Sequence, residues 1–140
     1  MQSYRNLEVW KIAHALTLEL YRDTATFPRD ERYGLTGQIR RAASSIGANI
    51  AEGCGRGTDG ELRQSLGYAM GSATELDYHL LLSHDLGFLS DEPYAAHSQS
   101  VVRVQKMLSS FILRLRPSPA TSTNGRTSAT AKSQQPTAKS

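Results

Sequence analysis

The chain has 140 residues, 39% of them hydrophobic and 21% charged, which is enough for one core and not for two. No run approaches 18 uninterrupted apolar residues, excluding a membrane-spanning helix, and Met1 is followed by no signal-peptide hydrophobic region, so a cytoplasmic protein is expected. The formal charge of +3 comes entirely from residues 117–140, where Arg126, Lys132 and Lys139 are the only charged side chains. The remaining 13 basic residues of residues 1–116 meet 13 acidic ones, so that stretch is neutral and not a nucleic-acid binder by charge count alone. Residues 117–140 contain no aromatic, Leu, Ile or Val, and a disordered tail is expected there because too little apolar surface exists to offset the entropy of ordering it.

In chain order, Asn6 is the expected cap of a first helix, Leu7 to Ala25, with Val9, Ala13, Leu16 and Leu20 as its apolar stripe and Trp10 and Tyr21 flanking it. Phe27-Pro28 ends that pattern, and the acidic pair Asp30-Glu31 opens a second helix expected to run to Glu52. Leu35, Ile39, Ala42, Ile46 and Ile50 form its stripe, and the glycine-rich Gly53-Cys54-Gly55-Arg56-Gly57 is expected to terminate it. Thr58-Asp59-Gly60-Glu61 is a capping-box sequence for a third helix reaching His84, with Leu62, Leu66, Ala69, Ala73, Leu76 and Leu80 on one face. Ser90 caps the fourth, where Tyr94, His97, Val101, Val104, Leu108, Phe111 and Leu115 hold a 3-4 spacing up to Pro117. Four amphipathic helices with short connections predict an all-α, antiparallel up-down four-helix bundle over residues 1–116.

The second helix carries two further faces. Ala43, Gly47 and Ala51 form a small-residue face that would admit another backbone closely, and Gln38, Arg41, Ser45, Asn49 and Glu52 form a polar one. The third helix answers with Glu61, Ser65, Tyr68, Ser72, Glu75 and His79. Such seams read first as hydrogen-bonded networks, in which Glu52 and Glu75 are structural acids paired with arginine or bonded to Asn49 and Ser72. These three engaged faces exceed what one four-helix core buries, which predicts a homo-oligomer.

The candidate anion-binding residues are Arg40, Arg41, Arg56 and Arg63, whose planar guanidinium groups suit phosphate and which are expected near the junction of the second and third helices. The competing use of Arg40 and Arg41 is pairing with Glu52 or Glu75. No catalytic or metal site is expected, and no cofactor. Glu75 and His79 are four apart, Glu52 is a third candidate ligand, and a di-iron centre needs about four carboxylates and two Glu-x-x-His pairs. His14, His84 and His97 all lack a Glu three residues before them. Cys54 follows a helix C-terminus, whose dipole disfavours a thiolate, and reads as a free loop thiol.

Several ordered motifs together resemble one family: Leu7-Glu8-Val9-Trp10, Phe27-Pro28-Arg29-Asp30-Glu31-Arg32-Tyr33-Gly34-Leu35, Gln38 to Ile46, Ala48 to Gly53 with Gly55-Arg56, and Gly71 to Leu76. The chain resembles the four-helix-bundle proteins encoded in intervening sequences of bacterial 23S rRNA genes, over about residues 4–115. It departs mildly at Gly37, where a small hydroxyl residue is more usual, and at Cys54. The resemblance implies a homopentameric barrel of up-down bundles without established enzymatic activity. It also implies a distant similarity to the accessory protein of diversity-generating retroelements, a basic pentamer that binds a reverse transcriptase and nucleic acid. The reading is a non-enzymatic oligomer that binds RNA or an RNA-handling partner such as a reverse transcriptase, with no membrane contact. The alternative is a purely structural or protein-interaction oligomer without a nucleic-acid ligand.

Overall fold

The 3-4 spacing of apolar residues becomes four α-helices and no strand among the described residues, 3–115 of a computed structural model: α1 (Glu8–Thr24), α2 (Leu35–Arg56), α3 (Asp59–Asp85) and α4 (Asp91–Arg114). The expected tail, residues 117–140, lies outside the described residues. The stripes Val9-Ala13-Leu16-Leu20 and Leu35-Ile39-Ala42-Ile46-Ile50 are buried throughout, as are Leu66 to Leu80 on α3 and His97 to Leu108 on α4 at the stripe positions. Leu62, Tyr94, Phe111 and Leu115, nearer the helix ends, are half-buried against this core.

The helix ends differ from the sequence expectation, and each difference has a local cause. Asn6 does not cap α1; it closes a 3-10 turn, Tyr4–Asn6, whose own cap is Ser3, and Leu7 precedes α1 in an extended conformation. Glu31 belongs to a second 3-10 turn, Arg29–Glu31, and its carboxylate accepts from the Leu35 N–H at 3.0 Å, capping α2 from four residues away. At the other end α2 runs through Gly53, Cys54 and Gly55 to Arg56 and stops only at Gly57, whose φ of +100° is left-handed. A helix-interior glycine costs about 1 kcal/mol. Gly53 offsets that cost by contact: a Cβ there would lie 2.7 Å from the Ser65 Cβ and 2.9 Å from the Leu62 Cδ1 of α3. Thr58 caps α3 as expected, its Oγ1 accepting from the Glu61 N–H at 3.1 Å. Ser90 precedes α4 without a side-chain cap bond.

Successive helices meet in opposed residue order. Trp10 of α1 lies against Gly47 of α2, Thr17 donates to the Ala43 carbonyl at 3.1 Å, and Arg40 reaches Tyr21 and Thr24. On α2 and α3, Gly53 meets Ser65 while the Ser45 and Ser72 hydroxyls lie 3.0 Å apart. The small-residue face of α2 therefore admits the indole of Trp10, with its Nε1 3.2 Å from where a Gly47 Cβ would stand, and not another backbone. Between α4 and α1, the His97 imidazole is 3% exposed, and its Nε2 is 2.6 Å from Asp23 Oδ2. That bond gives one ring nitrogen of a core histidine a carboxylate partner, whereas the buried Nδ1 makes no hydrogen bond to the described residues and lies 3.8 Å from Glu19 Oε1.

Candidate functional site

Each of the four arginines is placed by its helix, and the structure does not gather them. Arg40 and Arg41 sit in the second turn of α2 and Arg56 in its last. Fifteen or sixteen residues at 1.5 Å each separate them by about 23 Å along the helix axis. Only Arg56 and Arg63 flank the junction between α2 and α3, so the expected four-residue cluster divides in two.

Two of the four are engaged by backbone. Arg40 donates from Nε to Thr24 Oγ1 at 2.9 Å and from Nη2 to the Tyr21 carbonyl at 3.0 Å, and its guanidinium lies 4.7 Å from the Tyr21 ring centroid. Arg63 Nη1 donates to the Ile112 carbonyl at 2.8 Å. Both carbonyls lie in the last turn of a helix, where a cation complements the dipole, and the Ile112 carbonyl also accepts from the Leu115 N–H at 3.2 Å. Arg56 is exposed and sits 2.9 Å from Glu52 Oε2 and 3.9 Å from Glu61 Oε2. The hydrogen bond and charge of Glu52, then the charge of Glu61, hold its guanidinium still more firmly protonated. Arg41 is exposed, and its guanidinium makes no hydrogen bond or ion pair to the described residues. It pairs with neither Glu52 nor Glu75.

The polar seam is narrower than its sequence pattern. Ser45 to Ser72 is its one bond between α2 and α3, and Asn49 Nδ2 donates back to the Ser45 carbonyl at 2.8 Å. Gln38 is exposed, and the Glu52 and Glu75 side chains are 54% and 59% exposed. Their partners are Arg56 and His79, the latter at 3.4 Å, and neither acid bonds to Asn49 or Ser72. The Glu52–Arg56 pair is solvated on both sides and worth far less than a buried one, whereas Glu75 reaches from solvent to a buried His79. The register set by Ser45–Ser72 and Gly53–Ser65 brings Glu75 alongside the turn of Ala42, about 15 Å from Glu52. Among the described residues no three His, Cys, Asp or Glu side chains converge as metal ligands.

Cys54 is a helical residue and not a loop one. It is 6% exposed, and burial pushes its thiol pKa up from the ordinary value of 9.0. It borders an end cavity of about 470 Å³ with Leu62, Phe111 and Leu115.

The sequence pattern did not reveal one largely apolar surface feature. A groove of about 430 Å³ runs between α1 and α2, walled by Tyr4, Trp10, His14, Leu18 and Tyr21 and floored by Gly47, Ala48 and Ala51. Tyr4 meets Trp10 edge-on at 5.0 Å, and Trp10 stacks on His14 at 4.7 Å. Its signal was present as Trp10, His14 and Tyr21 at helical spacing opposite the small-residue face of α2.

The 23S rRNA-intervening sequence protein family model matches residues 5–110. A solved structure of a protein of unknown function from the S23 ribosomal protein family, from Bacteroides thetaiotaomicron, superposes with a TM-score of 0.67 at 23% identity. The match covers 74% of this chain and 97% of that one, and at such identity it speaks to the fold alone. Comparison with curated proteins gives no match. Because that family model spans more than half of its length, the chain belongs to the 23S rRNA-intervening sequence protein family.

Proposed function

We propose that the protein is a non-enzymatic, cytoplasmic homo-oligomer of antiparallel up-down bundles, most simply a ring of five, whose work is binding a macromolecular partner. The opposed order of contacts between successive helices supports the antiparallel arrangement, and the resemblance supports the number five. The observation that carries the oligomer is the groove between α1 and α2, where Trp10, Leu18 and Tyr21 leave apolar surface uncovered in a single copy. Light scattering on a sizing column tests it: a multiple of the 15.3 kDa chain mass is expected, and a stable monomer at micromolar concentration refutes it.

A second reading, contact with RNA or with an RNA-handling protein such as a reverse transcriptase, is favoured by Arg41, whose guanidinium stands free in solvent. A single exposed arginine binds RNA negligibly, but a ring repeats it, and multivalency converts weak contacts into avidity. RNA binding at about 50 and about 200 mM salt is the assay, with a steep fall expected between them. Arg41→Ala should weaken binding more than deletion of residues 117–140. Loss on tail deletion alone, or no binding at the lower salt, leaves the protein-interaction oligomer as the reading.

A further inference from the structure

The helices of this protein differ sharply in charge. Counting full charges, α3 holds Asp59, Glu61, Glu75, Asp77 and Asp85 against Arg63, a balance of −4, while α2 holds Arg40, Arg41 and Arg56 against Glu52, a balance of +2. The charges also lie beside complementary shapes. On α3, Gly67, Gly71, Tyr78 and Leu81 recur at helical spacing on one outward face, and Tyr78 and Leu81 are 57% and 43% exposed. By helical position Glu75 flanks that face on one side and Asp77 on the other. No atom lies within 4 Å of where a Cβ of Gly67 or Gly71 would be, so neither glycine serves packing within the copy. The groove between α1 and α2 has the opposite character. By the same helical reckoning Lys11 and Arg22 flank it on α1, Arg41 and the Arg56-paired Glu52 flank it on α2, and Arg40 stands over Tyr21 at its end. Trp10 to Tyr21 spans about 16 Å and Gly67 to Leu81 about 21 Å, so the α3 face covers the length of the groove with about one helical turn to spare.

We propose that the groove between α1 and α2 of one copy receives the outward face of α3 of a second copy, head to tail. This rests on the homo-oligomer reading and deepens it by naming both surfaces. The aromatic and leucine side chains of α3 fill the apolar groove, and its flanking carboxylates meet the basic rims, which fixes the orientation of docking. The contact uses two different patches, so each copy keeps one of each open, and repetition closes a ring when the rotation allows.

The test uses two full-length variants at exposed positions, Gly71→Trp on the α3 face and Ala48→Trp in the groove. Circular dichroism melts establish that each remains folded. Each variant alone should run as a monomer where the wild type runs as an oligomer. Mixed in equal amounts, they should form a dimer of twice the 15.3 kDa chain mass, because one intact groove meets one intact α3 face. A wild-type-sized oligomer from either folded variant overturns the proposal and leaves the homo-oligomer reading standing. Monomeric variants that fail to pair on mixing also overturn it, since a self-complementary interface would behave so. A monomeric wild type removes both readings together.

Discussion

At the scale of single residues, α2 shows how a glycine's worth depends on what faces it. Gly53 sits against Leu62 and Ser65 with no room for a Cβ, whereas Gly71 faces open space. Gly53→Ala is therefore expected to destabilise by about 1–3 kcal/mol through overpacking. Gly71→Ala should gain up to about 1 kcal/mol of helix propensity. Urea melts of both variants measure the contrast, and equal effects would mean that α2 and α3 adjust freely at Gly53. Cys54, one residue on, gives a pH signature. Burial raises its folded pKa, so the unfolded chain releases its thiol proton first as pH rises through 9.0. Stability should be unaffected below that value, fall between the unfolded and the folded pKa, and fall less in Cys54→Ala. Alkylation near neutral pH should be slow in the folded protein and fast in urea.

At the scale of elements, two helix C-termini are closed by arginines from elsewhere in the chain. Arg63 reaches the Ile112 carbonyl across 49 residues of sequence and is partly buried. Arg63→Met is expected to lower stability by about 1–2 kcal/mol through the lost charge-assisted bond and helix-end interaction. Arg41→Met, at a solvated guanidinium, should stay within about 0.5 kcal/mol of wild type. Equal melting temperatures for the two would show that the Arg63 bond contributes nothing. The same comparison explains what was legible in the sequence. Val9-Ala13-Leu16-Leu20 and its counterparts are legible in the sequence because burial is a property of spacing along one helix. The uses of Arg40 and Arg63 are not legible there, because their partners are carbonyls 19 and 49 residues away, and every residue has a carbonyl. Glu31 reads as the first turn of α2 because an acid just inside and an acid just outside a helix N-terminus carry the same local signature.

At the scale of the whole molecule, the connections are unequal. Gly57 and Thr58 alone join α2 to α3, and Gly53 meets Ser65 only 12 residues later. His97 and Asp23, by contrast, come together from 74 residues apart. Closing a loop costs entropy that grows with its length, so the α2–α3 pair is the natural nucleus and the α1–α4 seam a late event. The left-handed turn at Gly57 thus acquires a kinetic role. Gly57→Ala should slow refolding and leave the unfolding rate nearly unchanged, whereas His97→Ala should speed unfolding with little effect on refolding. Stopped-flow chevrons of the two variants separate these cases, and a reversed pattern would place the nucleus at the seam instead. On this ordering the groove between α1 and α2 is completed after the outward face of α3, so each copy emerges from folding with its acidic docking face formed before the groove meant to receive its neighbour's.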